Sequence, residues 1–291
     1  MSALAADALQ RSLLDARNPD GGWGYLAGKQ SRIEPTSFAL VALSAADEGV
    51  AAGVLSRFPR RDGLLIDPGA THPNVAFNGI AALAAQYAPL RARDTAAALA
   101  DVLVRQRGVM LPQSKAIGQD NTLVGWPWLD GTFAWVEPTA WCLLALKRWT
   151  GGRRSGDAAD RIDHAERLLR DRMCRGGGWN YGNRLVLDKA LRPYASTTAL
   201  GLLALQDFPE DPVVKVSREA LKRLCARERS GYALALASLA FARLGTPEPG
   251  VEAALASVWE ETSFGGEVVA TALALYVAAG RDRGYEAFRI G

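Results

Sequence analysis

The chain has 291 residues, of which 49% are hydrophobic and 22% are charged, and its formal net charge is +3. A chain of this composition can bury a large core, which excludes a disordered segment and a strongly basic nucleic-acid-binding protein. No apolar run approaches the roughly 18 residues that a membrane-spanning helix needs.

Two features favour a cytoplasmic location. The chain begins with MSALAADALQRSLLDARN, which lacks the basic region and the apolar region of a signal peptide. The three cysteines (Cys142, Cys174 and Cys225) are an odd number and show no C-x-x-C spacing, so we expect reduced thiols rather than disulfides.

Amphipathic helices recur along the chain. The helix that Asp211 and Pro212 begin shows the pattern, because valine, alanine and leucine recur at helical spacing while lysine, arginine and glutamate fill the other face. Such a helix is half exposed to solvent. Similar helices are predicted near residues 3–17, 49–58, 94–107, 157–173 and 248–260.

Six apolar, alanine-rich segments lie between the amphipathic helices. They cover roughly residues 35–46, 73–87, 137–149, 194–207, 231–244 and 265–279. Because they are apolar nearly all round, they should form buried helices. A buried helix that alternates six times with an amphipathic one predicts an all-α fold, an (α/α)6 toroid of inner and outer helices. We expect residues 1–291 to form this toroid as a single domain.

Glycine- and tryptophan-rich turns precede three of the apolar helices. PDGGWGY precedes EPTSFALVALSA, GWPW precedes TAWCLLALKRW, and GGGWNYGN precedes RPYASTTALGLLALQD. The loops that carry these turns, residues 18–34, 108–136 and 174–193, are long for a compact domain. In a toroid these loops share the face where the inner helices begin, so we expect the functional site on that face.

These turn-and-helix units resemble the repeats of squalene–hopene cyclases and related terpene cyclases, and of protein prenyltransferase β subunits. The resemblance covers about residues 3 to 280 and is carried by GGWGY, GWPW and GGGWNYGN with the helices that follow them. It implies the same toroid, with a hydrophobic cavity on its axis. It further implies a terpene cyclase-like protein that handles an isoprenoid or terpenoid, by acid-initiated carbocation chemistry if it is an enzyme.

Glu34 and Glu137 are the leading catalytic candidates, since each heads an inner helix within a Glu-Pro-Thr sequence. The resembling class II terpene cyclases carry a D-x-D-D cluster at such a head, where one carboxylic acid protonates the substrate; this sequence contains no D-x-D-D. Helix capping and a favourable first-turn charge are the structural alternative for both glutamates. Asp130, in the loop with GWPW, and His72, at the head of the second inner helix, are further catalytic candidates. Their structural alternatives are turn chemistry and a solvated histidine.

Eight aromatic residues are candidates for substrate binding. The resemblance implies that rings near the starts of inner helices stabilise cationic intermediates through their π faces, and Phe38, Phe77, Trp141 and Tyr194 hold such positions. Trp126, Trp128 and Trp135, in the longest loop, are candidates for a lid or for lining the cavity, and Trp179 is a candidate for lining the cavity. For Trp179, as for Trp23 in the first turn, packing between repeats is the structural alternative.

A metal site is not expected. The resembling prenyltransferase subunits hold zinc with an aspartate, a nearby cysteine and a distant histidine. Here Cys142 has no acidic residue two positions before it, and His72 and His164 are the two histidines of the chain. The sequence therefore predicts no zinc and no other cofactor.

Two other functions stay open. Glu34 and Glu137, with tryptophans that stack on sugars, fit a carbohydrate-active (α/α)6 enzyme. Alternatively, the chain is a noncatalytic subunit that binds a lipid or a protein. The expected partner is a hydrophobic, isoprenoid-like small molecule and not a nucleic acid. Peripheral contact with a membrane, a protein partner and a homo-oligomer also stay open.

Overall fold

The computed structural model describes residues 5–47, 49–50, 52–87, 92–113, 118–153 and 156–290, which are mainly helical. The helices are α1 (Ala6–Asp15), α2 (Ile33–Ala45), α3 (Val75–Ala85), α4 (Arg93–Arg105), α5 (Val136–Trp149), α6 (Gly156–Arg172), α7 (Ala195–Ala204), α8 (Pro212–Cys225), α9 (Gly231–Arg243), α10 (Pro249–Thr262) and α11 (Val268–Ala279). Short 3-10 segments lie at Ala52–Arg57, Ser263–Gly266 and Glu286–Phe288. No helix among these residues is both long enough and apolar enough to cross a membrane.

The inner ring consists of the six helices that the apolar segments predict. Helices α2, α3, α5, α7, α9 and α11 each pack against the next, and α11 packs against α2 to close the ring. Every residue of α2 except Glu34 is buried. Small residues allow the helices to approach closely: a β-carbon on Gly79 of α3 would lie 3.0 Å from the Cys142 sulfur of α5. The prediction of an all-α (α/α)6 toroid is confirmed.

The outer layer packs against this ring through one face of each helix. Helices α4, α6, α8 and α10 contact α3, α5, α7 and α9, and α1 contacts α11. In α8 the apolar face is buried, whereas Lys222 and Arg223 are exposed. The Asp211 side chain accepts the Val213 N–H at 2.8 Å and so caps this helix.

One predicted outer helix is wrong. The described residues of the segment 49–58 form only the 3-10 segment Ala52–Arg57, which packs against α2 and α3. Gly49 and Gly53 weaken an α-helix here, and Pro59 ends the segment, so the chain has too few good helix formers for a full outer helix.

The strands among the described residues form two short hairpins. Strand β1 (Arg60–Arg61) pairs with β2 (Leu64–Leu65), with Arg60 opposite Leu65, and β3 (Leu185–Val186) pairs with β4 (Lys189–Ala190). Asn78 of α3 holds β2 against the ring, because its side chain accepts the Leu65 N–H at 2.7 Å and donates to the Leu65 carbonyl at 2.9 Å.

Each Gly-Trp turn is fixed by the same set of contacts, which we call the Trp–Thr clamp. The indole N–H of the tryptophan donates to a carbonyl of an outer helix, and its backbone N–H donates to a threonine hydroxyl in the first turns of the next inner helix. The clamps are Trp23 with Leu13 (2.7 Å) and Thr36 (3.0 Å), Trp126 with Leu103 (3.0 Å) and Thr139 (3.0 Å), and Trp179 with Leu169 (2.7 Å) and Thr198 (3.0 Å).

The clamp explains the glycine before each tryptophan. A β-carbon on Gly125 would lie 2.3 Å from the Thr139 hydroxyl oxygen, and one on Gly178 would lie 2.7 Å from that of Thr198. Since no other residue leaves this space free, glycine is required for the threonine to reach the backbone N–H. The clamps thereby fix the loops over the starts of α2, α5 and α7.

Aromatic side chains fill the inside of the ring. Phe38 of α2 and Trp141 of α5 meet edge to face with ring centroids 5.6 Å apart, although α3 separates their helices in the ring. Phe288, from the segment after α11, packs 6.0 Å from Trp141 and 5.3 Å from Tyr276. The C-terminal segment thus packs across the C-terminal ends of the inner helices.

Candidate active site

Three glutamates lie at the starts of inner helices. Glu34 is in the first turn of α2, Glu137 is in the first turn of α5, and Glu267 is the residue before α11. All three are partly buried. They are close enough for the charges of Glu137 and Glu267 to raise the pKa of Glu34. The structure therefore brings together the two predicted glutamates and adds a third.

Glu34 is held by a tyrosine from the first Gly-Trp turn. The Tyr25 hydroxyl donates to Glu34 Oε2 at 2.7 Å, and the Tyr25 carbonyl accepts the Val268 N–H at 2.9 Å, which ties the turn to α11. Burial raises the pKa of Glu34 to about 7, although the Tyr25 hydrogen bond acts in the opposite direction. The charges of Glu137, Glu267 and Asp67 add to the rise.

Glu137 has a looser polar contact. Burial raises the pKa of its carboxyl to about 7, and the facing Tyr232 hydroxyl lowers it by a smaller amount. Tyr232 lies in the first turn of α9, and its buried hydroxyl makes no hydrogen bond of standard geometry with the described residues. Burial and the nearby glutamates raise the pKa of Tyr232 well above its usual range, so the phenol stays protonated.

The two glutamates make no capping hydrogen bond. Within the described part of the chain, neither Glu34 nor Glu137 accepts a backbone N–H at the start of its helix. At α2 the Ile33 N–H is instead accepted by Asp67, at 2.8 Å. Burial raises the pKa of Asp67 above its usual value, with the Ile33 hydrogen bond and Arg32 acting against the rise.

This arrangement suits proton transfer. A carboxyl with a pKa near 7 is partly protonated at neutral pH. Because two carboxylates repel each other, such a pair most often carries one proton near pH 7, rather than none or two. One glutamate can therefore donate a proton while the other accepts one or attacks as a carboxylate.

Partly or fully exposed aromatic side chains lie near the start of α5, the helix that carries Glu137. Tyr194 precedes α7 and packs against Tyr181 with centroids 5.4 Å apart, and both are about half exposed. Trp135 precedes α5 and packs 4.7 Å from Phe133. The Tyr181 carbonyl accepts the Val136 N–H at 2.9 Å, so these loops meet above the start of α5.

The predicted substrate-binding aromatics divide into two sets. Trp126 and Trp179 are fully buried in Trp–Thr clamps, and Phe38 and Trp141 are buried inside the ring, which favours packing roles for these four. The other four are partly or fully exposed near the starts of inner helices, where contact with a substrate stays a prediction. They are Phe77, Trp128, Trp135 and Tyr194.

The remaining candidates lie apart from the glutamates. His72 and Asp130 are exposed, and neither side chain makes a hydrogen bond or an ion pair with another described residue. Asp130 borders a surface groove with Arg105 and Arg107 at the end of α4. No group of three or more histidine, cysteine or acidic residues in the described ranges is placed to hold a metal ion. The absence of zinc stays a prediction for metal analysis.

Sequence reasoning missed Tyr25, Asp67, Tyr232 and Glu267. Two of them carry the same signal as the predicted glutamates, since Glu267 and Tyr232 each stand at the head of an apolar segment. Tyr25 belongs to the GGWGY turn, whose pattern indicates a role for the tryptophan and none for the tyrosine. Asp67 lies in an irregular stretch after β2, and no sequence pattern indicates its contact with α2.

Comparison with known proteins establishes the fold. No protein-family model matches the chain, and no curated protein is significantly similar to it. A family 76 glycoside hydrolase from a bovine Bacteroides thetaiotaomicron strain is similar in structure, with a TM-score of 0.64 and 12% identity over 96% of this chain and 78% of that one. A reducing-end-xylose releasing exo-oligoxylanase has a TM-score of 0.58 and 12% identity over 98% and 93% of the two chains.

A terpene cyclase shares the fold as well. The ent-copalyl diphosphate synthase from Streptomyces platensis has a TM-score of 0.51 and 21% identity over 96% of this chain. The chain matches only 47% of the length of that synthase. At these identities the similarity shows the fold alone. The chain therefore has the six-hairpin (α/α)6 fold of these glycosidases, which a terpene cyclase also contains.

Proposed function

We propose that this protein is an enzyme that acts on a glycosidic bond, with Glu34 and Glu137 as its pair of carboxyl groups. The pair itself is the observation that carries the proposal: two partly buried glutamates with pKa values near 7 stand on one face of the ring and interact. Glycoside hydrolysis needs one carboxylic acid to protonate the leaving oxygen and one carboxylate to act as a base or nucleophile.

A difference in hydrogen bonding supports a division of roles between the two glutamates. Tyr25 donates to Glu34 at 2.7 Å, and such a donor stabilises the carboxylate, so Glu34 is the base or nucleophile. Burial favours the protonated form of both carboxyls, but the Tyr232 hydroxyl that faces Glu137 makes no hydrogen bond of comparable geometry. Glu137 is therefore the acid.

The surroundings of the pair favour a sugar over an isoprenoid chain. Phe38, Trp141 and Phe288 pack together inside the ring, in the space that an isoprenoid tail needs. Tyr181 and Tyr194 offer exposed ring faces and hydroxyl groups at the site, which suits stacking against a neutral, polyhydroxylated ring. The clustered carboxyl groups also disfavour a diphosphate, because like charges repel.

The test uses glycosides with good and poor leaving groups. The panel contains 4-nitrophenyl glycosides, α-1,6-linked mannose oligosaccharides and xylose oligosaccharides. We expect Glu137→Gln to lower turnover of the oligosaccharides at least about a hundredfold. The same variant should retain more activity on the 4-nitrophenyl glycosides, because nitrophenolate leaves without a proton.

Glu34→Gln should lose both activities. Glu260→Gln is the matched control, since Glu260 is exposed on α10 and no hydrogen bond or ion pair joins it to another described residue. Full activity of both Glu34→Gln and Glu137→Gln would refute the assignment. A wild-type protein that cleaves no glycoside of the panel would count against glycosidic chemistry itself.

A second candidate function is proton-initiated cyclisation or rearrangement of an isoprenoid. It is favoured by the three Trp–Thr clamps, which carry the resemblance to terpene cyclase repeats, and by a pair of carboxyl groups able to donate a proton. Incubation with squalene and with a linear polyprenyl diphosphate, followed by lipid extraction and mass spectrometry, tests it. Conversion of either isoprenoid, lost in Glu137→Gln, would replace the glycosidic proposal.

A further inference from the structure

A cavity of about 680 Å³ opens at the face opposite the glutamates, where α3 and α5 end. Its wall includes Tyr87 after α3, Arg93 at the start of α4, Trp149 at the end of α5, and Glu286 and Arg289 from the C-terminal segment. Its volume lies within the range of small-molecule sites in proteins, which is roughly 300 to 1,000 Å³. The proposed glycosidic chemistry makes no use of this cavity.

Positive charge gathers around the cavity with little compensation. Arg93, Arg148 and Arg289 line it, and Glu286 is the one carboxylate among the described lining residues. Glu286 is already paired, since its Oε1 lies 3.6 Å from Arg148 Nη2. Burial lowers the pKa of Arg148 and of Arg243, and the neighbouring charge of Arg289 lowers both further. An anion in the cavity would relieve this repulsion.

Two of the arginines are free to bind a ligand. Arg148 is occupied, because its guanidinium donates to backbone carbonyls of the C-terminal segment and of Gln86. Arg93 and Arg289, in contrast, are exposed, and neither side chain bonds or pairs with any residue in the described ranges. Such guanidinium groups bind carboxylates and phosphates through paired N–H donors.

The cavity wall also contains buried polar atoms whose hydrogen bonding is incomplete. Arg148 Nε is buried and has no hydrogen-bond partner among the described groups, and the buried Tyr87 hydroxyl makes no hydrogen bond of standard geometry, although the Arg283 guanidinium lies close enough to act on its pKa. Buried polar atoms in native proteins normally have partners, and exceptions often mark a site that is completed by another molecule. This observation is independent of the charge at the cavity.

An exposed indole defines the rest of the cavity. Trp149 is 43% exposed and lines the wall together with alanines of α3 and α4. A tryptophan in this setting offers a flat apolar surface for a ring. We propose that the cavity binds a small organic anion, a carboxylate or phosphate on a flat apolar body, with Arg93 and Arg289 holding the anionic group and Trp149 packing against the body.

Isothermal titration calorimetry with the full chain tests the proposal, with phenyl phosphate and benzoate as probes. We expect one of them to bind saturably with one site per chain, which identifies the preferred anionic group. Phenol and inorganic phosphate should each bind more weakly, because phenol lacks the anionic group and inorganic phosphate lacks the aromatic ring. Each of Arg93→Gln and Arg289→Gln should weaken binding by about tenfold, the effect of losing one charge-assisted hydrogen bond.

The other variants separate specific binding from general effects. Trp149→Ala should remove the advantage of phenyl phosphate over inorganic phosphate and leave inorganic phosphate unaffected. Arg227→Gln is the matched control, because Arg227 is exposed, lies outside the cavity and bonds to no described side chain. Circular dichroism melts establish that each variant folds. Non-saturable binding of both probes, equal binding of phenol, or equal weakening by Arg227→Gln would overturn the proposal.

Discussion

Replacing Glu137 by glutamine should stabilise the protein, and only above a defined pH. Burial raises the pKa of Glu137 from its ordinary value of 4.5 to about 7. A carboxyl with a raised folded-state pKa favours folding while it is protonated, and this contribution is lost as the pH rises from about 4.5 through about 7. Glutamine resembles the protonated glutamate and does not ionise.

The size of the effect follows from the two pKa values. The difference between 4.5 and about 7 corresponds to at most about 3.4 kcal/mol, because each tenfold change in a protonation equilibrium is worth about 1.4 kcal/mol. Since the side chain is partly exposed, solvent screening reduces this figure, and we expect about 2 kcal/mol above pH 8. Below pH 4.5 the variant and the wild type should have equal free energies of unfolding.

Urea unfolding at a series of pH values, followed by circular dichroism, measures the difference directly. Glu260→Gln provides the control, and its free energy of unfolding should match that of the wild type throughout because Glu260 is exposed. The reasoning fails if Glu137→Gln shows the same small difference at every pH, or if it destabilises the protein above pH 8. Either result would mean that burial does not govern this carboxyl.

Four further substitutions test the packing and the buried polar contacts. Gly201→Ala should destabilise the protein by about 2 kcal/mol, because the new β-carbon would lie 2.5 Å from Trp179 Cε3. Gly250→Ala, in open space on α10, should instead stabilise it by about 0.5 kcal/mol. Chemical unfolding measures the change in the free energy of unfolding for both variants. Thr198→Val should lower the free energy of unfolding by about 1–3 kcal/mol, because it leaves the buried backbone N–H of Trp179 without an acceptor. A change near zero would argue against the clamp. Lys147→Met should cost about 3 kcal/mol in thermal and urea unfolding, because it removes the ammonium group that lies 2.8 Å from the buried carboxylate of Glu166, and a neutral result would contradict this.

The sequence predicts the ring well because its signal is local and repeated. Six segments that are apolar all round can only be buried, and the amphipathic helices between them must cover the outside. Glu34 and Glu137 were predictable for the same reason, since a charged residue at the head of a buried helix has to lie at the end of the ring. The exception, residues 49–58, shows that two glycines outweigh a weak apolar pattern.

Long-range packing was not predictable. Phe288 lies in a short C-terminal stretch without periodicity, yet it fills the ring against Trp141, 6.0 Å away between centroids. That contact is one of the observations on which the proposed preference for a sugar depends. The cavity beside Arg289 likewise arises from residues far apart in the chain, which no spacing rule brings together.

The electrostatics of the helix ends support a chemical role for the glutamates. A helix N-terminus favours a carboxylate by about 0.3–1 kcal/mol, which is less than the burial penalty worked out for Glu137. Asp211, the N-cap residue of α8, provides a contrast: burial acts against it, but hydrogen bonds from Arg170 and the Val213 N–H lower its pKa below the usual value. Glu34 and Glu137 are each the second residue inside their helix, and burial raises their pKa values. Carboxyl groups placed where ionisation destabilises the fold fit a proton-transfer function, and glutamine at either position would serve stability better.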